Sequence, residues 1–151
     1  LKFRLSGKYV TWPPHITVAA IVHRNGKFLM VEEKVNGETV LNQPAGHVEP
    51  GETIIDAMLR ETMEETGWEV NPVCISGIYY YEADAITYHR LTFVAEPVCQ
   101  VTTELDTDII ACHWLSLEEL DNWQLRSPVV MTCINDYLIG QQAPLSILTH
   151  M

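Results

Sequence analysis

The sequence predicts a mixed α/β domain of sandwich type, with strands around one central helix and two helices following late. Three observations lead there. Segments with strand-like apolar patterning stand on both sides of one strongly amphipathic stretch. Two further helix-start signals come late in the chain. The 151 residues, 47% of them hydrophobic, suit one domain with a real core and no need of a disulfide staple.

Taken in order, residues 1–14 read as a loosely held arm, ending in Trp12-Pro13-Pro14, where helix and ladder are both blocked. Residues 15–151 form the single domain. Residues 16–23 read as a strand buried on both faces, and Arg24-Asn25-Gly26 as a hairpin turn. Lys27 to Glu33 returns as a second strand, Asn36-Gly37 turns again, and Val40-Leu41 makes a short strand stopped by Pro44. A loop follows over Ala45 to Gly51, then the strongest helix, Glu52 to Thr66, with Gly67 as its C-cap. Its apolar stripe is Ile55, Met58, Leu59, Thr62 and Met63. Val70 to Tyr81, Thr87 to Val98 and Ile109 to Leu115 read as strands. Ser116 to Glu119 is a capping box opening a short helix, and Ser127-Pro128 caps a last helix reaching about Ile139.

The net charge of −11 argues against general nucleic-acid binding and against adhesion to an anionic membrane. An acidic protein handles phosphates when a divalent cation stands between them. Cys74, Cys99, Cys112 and Cys133 contain no C-x-x-C pair, which argues against a zinc site or a disulfide framework and fits a reducing compartment. No apolar stretch is long enough for a signal peptide or a membrane span. The expectation is a cytoplasmic protein, a monomer or weak homodimer, with a small-molecule partner.

The chemistry concentrates in Gly46 to Glu52 and Arg60 to Gly67. Glu61, Glu64 and Glu65 stand at i, i+3 and i+4, so a helix puts them on one face. They crowd its last turn, where the helix dipole disfavours anions. A solvated glutamate face would intersperse lysine, but this helix has none, and Arg60 is its only basic residue. A hard cation, Mg²⁺ or Mn²⁺, wants several oxygen ligands and would cancel the repulsion. Arg60 can pair with Glu52 or Asp56 and hold Glu64 in position.

This segment resembles the box of the Nudix hydrolase superfamily, G-x5-E-x7-R-E-U-x-E-E-x-G-U, where U is a bulky aliphatic. Gly46, Glu52, Arg60, Glu61, Glu64, Glu65 and Gly67 occupy every fixed position, while Thr62 and Trp68 depart from U. Residues 42–47, 122–128 and 140–145 further resemble the NudJ-type phosphatases of that superfamily, so the likeness runs from about His15 to Leu145. The resemblance implies a Nudix-type α/β/α sandwich with a mixed sheet and a loop-helix-loop catalytic motif. It implies a Mg²⁺-dependent (or Mn²⁺-dependent) phosphatase or pyrophosphatase. The substrates would be nucleoside di- and triphosphates and small pyrimidine diphosphates of the thiamine pathway.

Carried over residue by residue, Glu61, Glu64 and Glu65 would hold the metal with the Gly46 carbonyl. Glu64 or Glu65 would act as base, and Arg60 would support them. Among the distant acids Glu104, Asp106 and Asp108, the favoured second ligand or base is Asp108. Arg126 is the first candidate for a phosphate contact, with Arg90 and Lys27 as alternatives. His47, inside the box loop, is the histidine expected nearest the substrate. Trp12, Trp123 and Tyr79-Tyr80-Tyr81 could stack on a flat ring. The competing functions are nucleotide sanitation, dinucleoside polyphosphate cleavage and a non-catalytic nucleotide-binding domain. The intact carboxylate set argues against the last.

Overall fold

The computed structural model describes the backbone of residues 2–5 and 8–11 and the whole of residues 13–151. Within the expected arm, β1 (Lys2–Leu5) and β2 (Lys8–Thr11) pair antiparallel in a two-stranded sheet. Trp12 lies outside the described residues.

The main sheet is built from β3 (His15–Arg24), β4 (Lys27–Val35), β5 (Glu38–Asn42), β6 (Ala45–His47), β7 (Trp68–Ala83), β8 (Ile86–Gln100), β9 (Ile109–Leu115) and β10 (Ala143–Pro144). Its spine runs β10-β7-β8-β3-β4-β5, with β6 added on β3 and β9 on β4. β3 and β8 run parallel, and the other pairs are antiparallel, so the sheet is mixed. Three helices accompany it: α1 (Ile54–Thr66), α2 (Leu117–Leu120) and α3 (Val129–Leu138).

Alternation along β3 divides two cores. Val18, Ala20 and Val22 pack with Ala57 and Met58 of α1. Ile21 packs with Leu120, Val130, Cys133 and Ile134 of the α2 and α3 side. This is an α/β/α sandwich, as expected.

Several boundaries differ from the sequence reading. Ala45 to His47 is a strand rather than a loop, because residues 45–47 pair with Thr17, Val18 and Ala19. The central helix begins two residues later, since the Thr53 side chain caps it by accepting from the Asp56 N–H at 3.1 Å. Ser127 makes no side-chain cap to α3. β7 and β8 are longer than expected and meet across a two-residue turn, Asp84-Ala85, between the paired Ala83 and Ile86. Asn25-Gly26 and Asn36-Gly37 turn with positive φ, as predicted.

The two departures from the aliphatic pattern have local reasons. Thr62 is fully buried and satisfies its hydroxyl on the Met58 carbonyl at 2.8 Å. Trp68 packs edge-on against Trp114, with the Arg24 guanidinium over both rings at 4.9 and 4.8 Å.

Candidate active site

A cleft of about 600 Å³ opens beside β6. Gly46, His47, Glu61 and Glu65 line it together with Asn42, Glu33, Arg90, Arg126, Tyr81 and Tyr88. These residues come from six elements and one loop.

Helix α1 supplies Glu61 and Glu65. Glu65 is buried, its Oε2 accepting the Ala45 N–H at 2.9 Å. Burial pushes its carboxyl up to about 8, the charges of Glu33, Glu61 and Asp106 push the same way, and the Ala45 bond opposes them. Glu61 is also raised, by burial first and then by Glu64 and Asp106, against the pull of Arg60. Gly46 leaves room for it. Any Cβ there would collide with the Glu61 carboxylate.

The three box carboxylates therefore do not share one environment. Ala57, Met58, Thr62, Glu65 and Thr66 form the buried face, so Glu65 sits at the edge of the packed side. Glu64 is 40% exposed and turned to Arg60. Among the described residues no three His, Cys, Asp or Glu side chains are already gathered around one point.

Arg60 explains that spacing. Its Nη1 donates to Glu61 Oε1 at 2.8 Å and to Glu64 Oε2 at 3.1 Å. Nε and Nη2 grip Glu52 at 3.0 and 2.7 Å, and Nη2 also reaches the His47 carbonyl. Glu52 is held down to about 2 by this guanidinium and by the Glu49 N–H. One side chain thus ties the β6 strand and the following loop to the helix.

Of the loop acids, Asp106 is the one whose charge raises both Glu61 and Glu65, and its N–H donates to the Glu64 carbonyl at 3.0 Å. Neither Asp106 nor Asp108, the acid favoured on sequence, lines the cleft. The Asp108 carbonyl accepts the Lys34 N–H at 3.4 Å.

Arg126 reaches the cleft because residues 124–126 run beside β5. Leu41 N–H donates to the Gln124 carbonyl, and Arg126 N–H to the Leu41 carbonyl. Arg126 Nη1 bonds Glu33 Oε1 at 2.7 Å. Its ion-pair partner is thus on β4 and not on the final helix. Lys27 pairs with Glu119 on the surface and does not line the cleft.

His47 lines the cleft, its ring 3.0 Å from that of His15. Burial, then His15 and Arg126, lower its pKa, which favours the neutral ring.

Tyr79 and Tyr81 share one face of β7 and differ in their place along it, while Tyr80 points to the other face. Tyr81 faces the cleft and stacks on Tyr88 at 5.1 Å and 13°. Tyr79 bonds Asp136 of α3, and Tyr80 is exposed. Trp123 packs on His113, outside the cleft. Tyr88 carried no motif and was missed. Its register opposite Tyr81 and His15 is what places it.

The donors around Glu61 and Glu65 are all oxygen, mutually repelling and partly desolvated. They fit a hard divalent cation.

The Nudix domain profile matches residues 13–132, and the chain belongs to the Nudix hydrolase family. Hydrolases of this family act on phosphoric anhydrides of nucleoside diphosphate derivatives and generally use divalent metal ions. The chain is 43% identical over 139 residues to the phosphatase NudJ of Escherichia coli K12, covering 89% of this chain and 90% of that protein. A Nudix hydrolase structure from Nitrosomonas europaea superposes with a TM-score of 0.89 at 42% identity, over 92% of this chain and 98% of that one. A UDP-X diphosphatase shares the fold at 17% identity with a TM-score of 0.74, over 89% of this chain and 68% of that one. No helix among the described residues is long and apolar enough to cross a membrane.

Proposed function

We propose that the cleft hydrolyses nucleoside di- and triphosphates with Mg²⁺ or Mn²⁺. The observation that carries this reading is the opposition of charge within one cleft. Carboxylates Glu33, Glu61 and Glu65 and guanidinium groups Arg90 and Arg126 line it together, with Tyr81 and Tyr88 beside them. The likeness to a phosphatase supports chain-end phosphate release over pyrophosphate release.

Glu61 and Glu65 with the Gly46 carbonyl would hold the cation, with Glu64 joining from the rim. When bound, the cation supplies Lewis-acid polarisation of the phosphoryl oxygens. Arg60 positions Glu61 and Glu64. Glu65 is our first choice of base. Its Oε2 is occupied by the Ala45 N–H, leaving Oε1 to take the proton of a water. Asp106 replaces Asp108 as the distant acid assisting those carboxylates. Arg126 holds a phosphate next to the cleaved one, and His47 lies alongside as a neutral donor or acceptor. Tyr81 and Tyr88 offer a ring face to a base. Residues 15–151 act as one domain, and the four free cysteines suit the cytoplasm.

The test is a panel of nucleoside di- and triphosphates with Mg²⁺, separating orthophosphate from pyrophosphate. Orthophosphate should dominate, and excess EDTA should abolish turnover. Glu64→Gln should cost roughly a thousandfold in rate while the protein remains folded. Full turnover in EDTA, or a Glu64→Gln protein within about tenfold of wild type, defeats the reading.

A further inference from the structure

Among the described residues three buried side-chain polar atoms lack any hydrogen-bond partner: Thr17 Oγ1, Ser76 Oγ and Arg90 Nε. Two of the three residues, Thr17 and Arg90, line the cleft. They are direct register partners on the parallel strands β3 and β8, and so face the same side of the sheet. His47 extends the row as the partner of Thr17 on β6. At about 4.8 Å per strand, the row spans roughly 10 Å from the box to Arg90.

Arg90 is 3% exposed, yet its partners are neutral. Nη2 donates to Gln43 Oε1 at 2.6 Å and Nη1 to Asn42 Oδ1 at 3.5 Å. No carboxylate among the described residues lies within ion-pair distance of it. The nearest acid in the network, Glu33, is reached only through Asn42 and is already paired with Arg126. Gln43 is anchored in turn on the Val130 carbonyl at 2.7 Å. A buried guanidinium held by two amides, with its Nε lacking any partner, is expensive unless something negative completes it. Arg90 and Thr17 line the same cleft as Glu61, Glu65 and Gly46.

We propose that Arg90 and Thr17 form an anion subsite on the sheet floor, taking a phosphoryl group of the substrate beyond the one held at the α1 glutamates. The assignment of that anion as a substrate phosphate rests on the function proposed above. Arg90 Nε–H and the Thr17 hydroxyl donate to its oxygens. Arg126 neutralises Glu33, which would otherwise repel it.

The test uses inorganic phosphate titrated calorimetrically onto the full chain in EDTA, so that no metal takes part. Wild type should bind. Thr17→Val should weaken binding about fivefold, the worth of one hydrogen bond. It should not lower the Tm, because the hydroxyl has no protein partner to lose. Arg90→Lys should weaken binding by about tenfold or more, since an ammonium cannot reproduce the fork. With Mg²⁺ and a nucleoside diphosphate, both variants should raise KM by similar factors and change kcat by less than about threefold. No phosphate binding by the wild type, phosphate binding unaltered by Thr17→Val, or an unaltered KM despite weakened phosphate binding each overturns the subsite. An enzyme inactive on every nucleoside phosphate would defeat the proposed function instead and would leave the EDTA titration standing.

Discussion

Glu65 shows how one residue's position changes its chemistry. Glu64 precedes it in the chain and is exposed, while Glu65 is buried against the Ala45 N–H with Glu33, Glu61 and Asp106 around it. Its carboxyl rises from 4.5 to about 8 in the fold. Between those values the metal-free native state keeps a proton that the unfolded chain has released. Stability is therefore complete below the lower value and declines as pH rises through the upper one. In EDTA the wild-type Tm should fall from pH 5 to pH 8. Glu65→Gln should flatten that slope, leaving the share of Glu61 and the opposing share of His47, whose lowered pKa favours the fold as pH rises, and should melt higher at pH 8. Parallel melting profiles for the two proteins would show that Glu65 is not the group responsible.

At the scale of the element, the β7–β8 hairpin carries an unrelieved local strain. Asp84 and Ala85 both adopt positive φ, 52° and 61°, in a two-residue turn. The other such turns, Asn25-Gly26 and Asn36-Gly37, place residues there that tolerate it. An alanine in the left-handed region costs about 1 kcal/mol relative to glycine. Ala85→Gly should raise stability by about that amount, and Tm by roughly 2–4 °C. Denaturant melts of the two proteins check this, and a destabilised Ala85→Gly protein would contradict the turn geometry. The hairpin's Ala83 and Asp84 border the cleft.

Across the whole molecule, the acidic excess of −11 and the crowded carboxylates of α1 make the apo-protein work against its own charge. A cation that binds only the native state stabilises by mass action, about 2.7 kcal/mol at a hundred times its Kd. For a chain of this length that is a Tm rise of roughly 5–10 °C. Mg²⁺ should produce it, and NaCl at equal ionic strength should produce much less. Glu61→Gln combined with Glu64→Gln should blunt the Mg²⁺ response and leave the metal-free protein no less stable. An undiminished response in that double variant would place the cation elsewhere.

Some of this was decided by short-range chemistry and could be read directly. The Gly46-to-Gly67 spacing, the Gly67 C-cap, the Asn-Gly turns and the alternation of β3 each depend on a few neighbouring residues, whose φ preferences and periodicity are local properties. The carboxylates of α1 were legible for the same reason. Other features existed only once distant segments met. The pairing of residues 45–47 with β3 turned a loop into a strand. On one face of β7, Tyr81 meets Tyr88 beside the cleft and Tyr79 reaches Asp136 of α3. The chain of bonds from Val130 through Gln43, Arg90, Asn42 and Glu33 to Arg126 draws on positions scattered from 33 to 130. No local pattern encodes such a network, because strands, a loop and α3 bring most of its members together only in the folded chain, where burial strengthens their polar contacts.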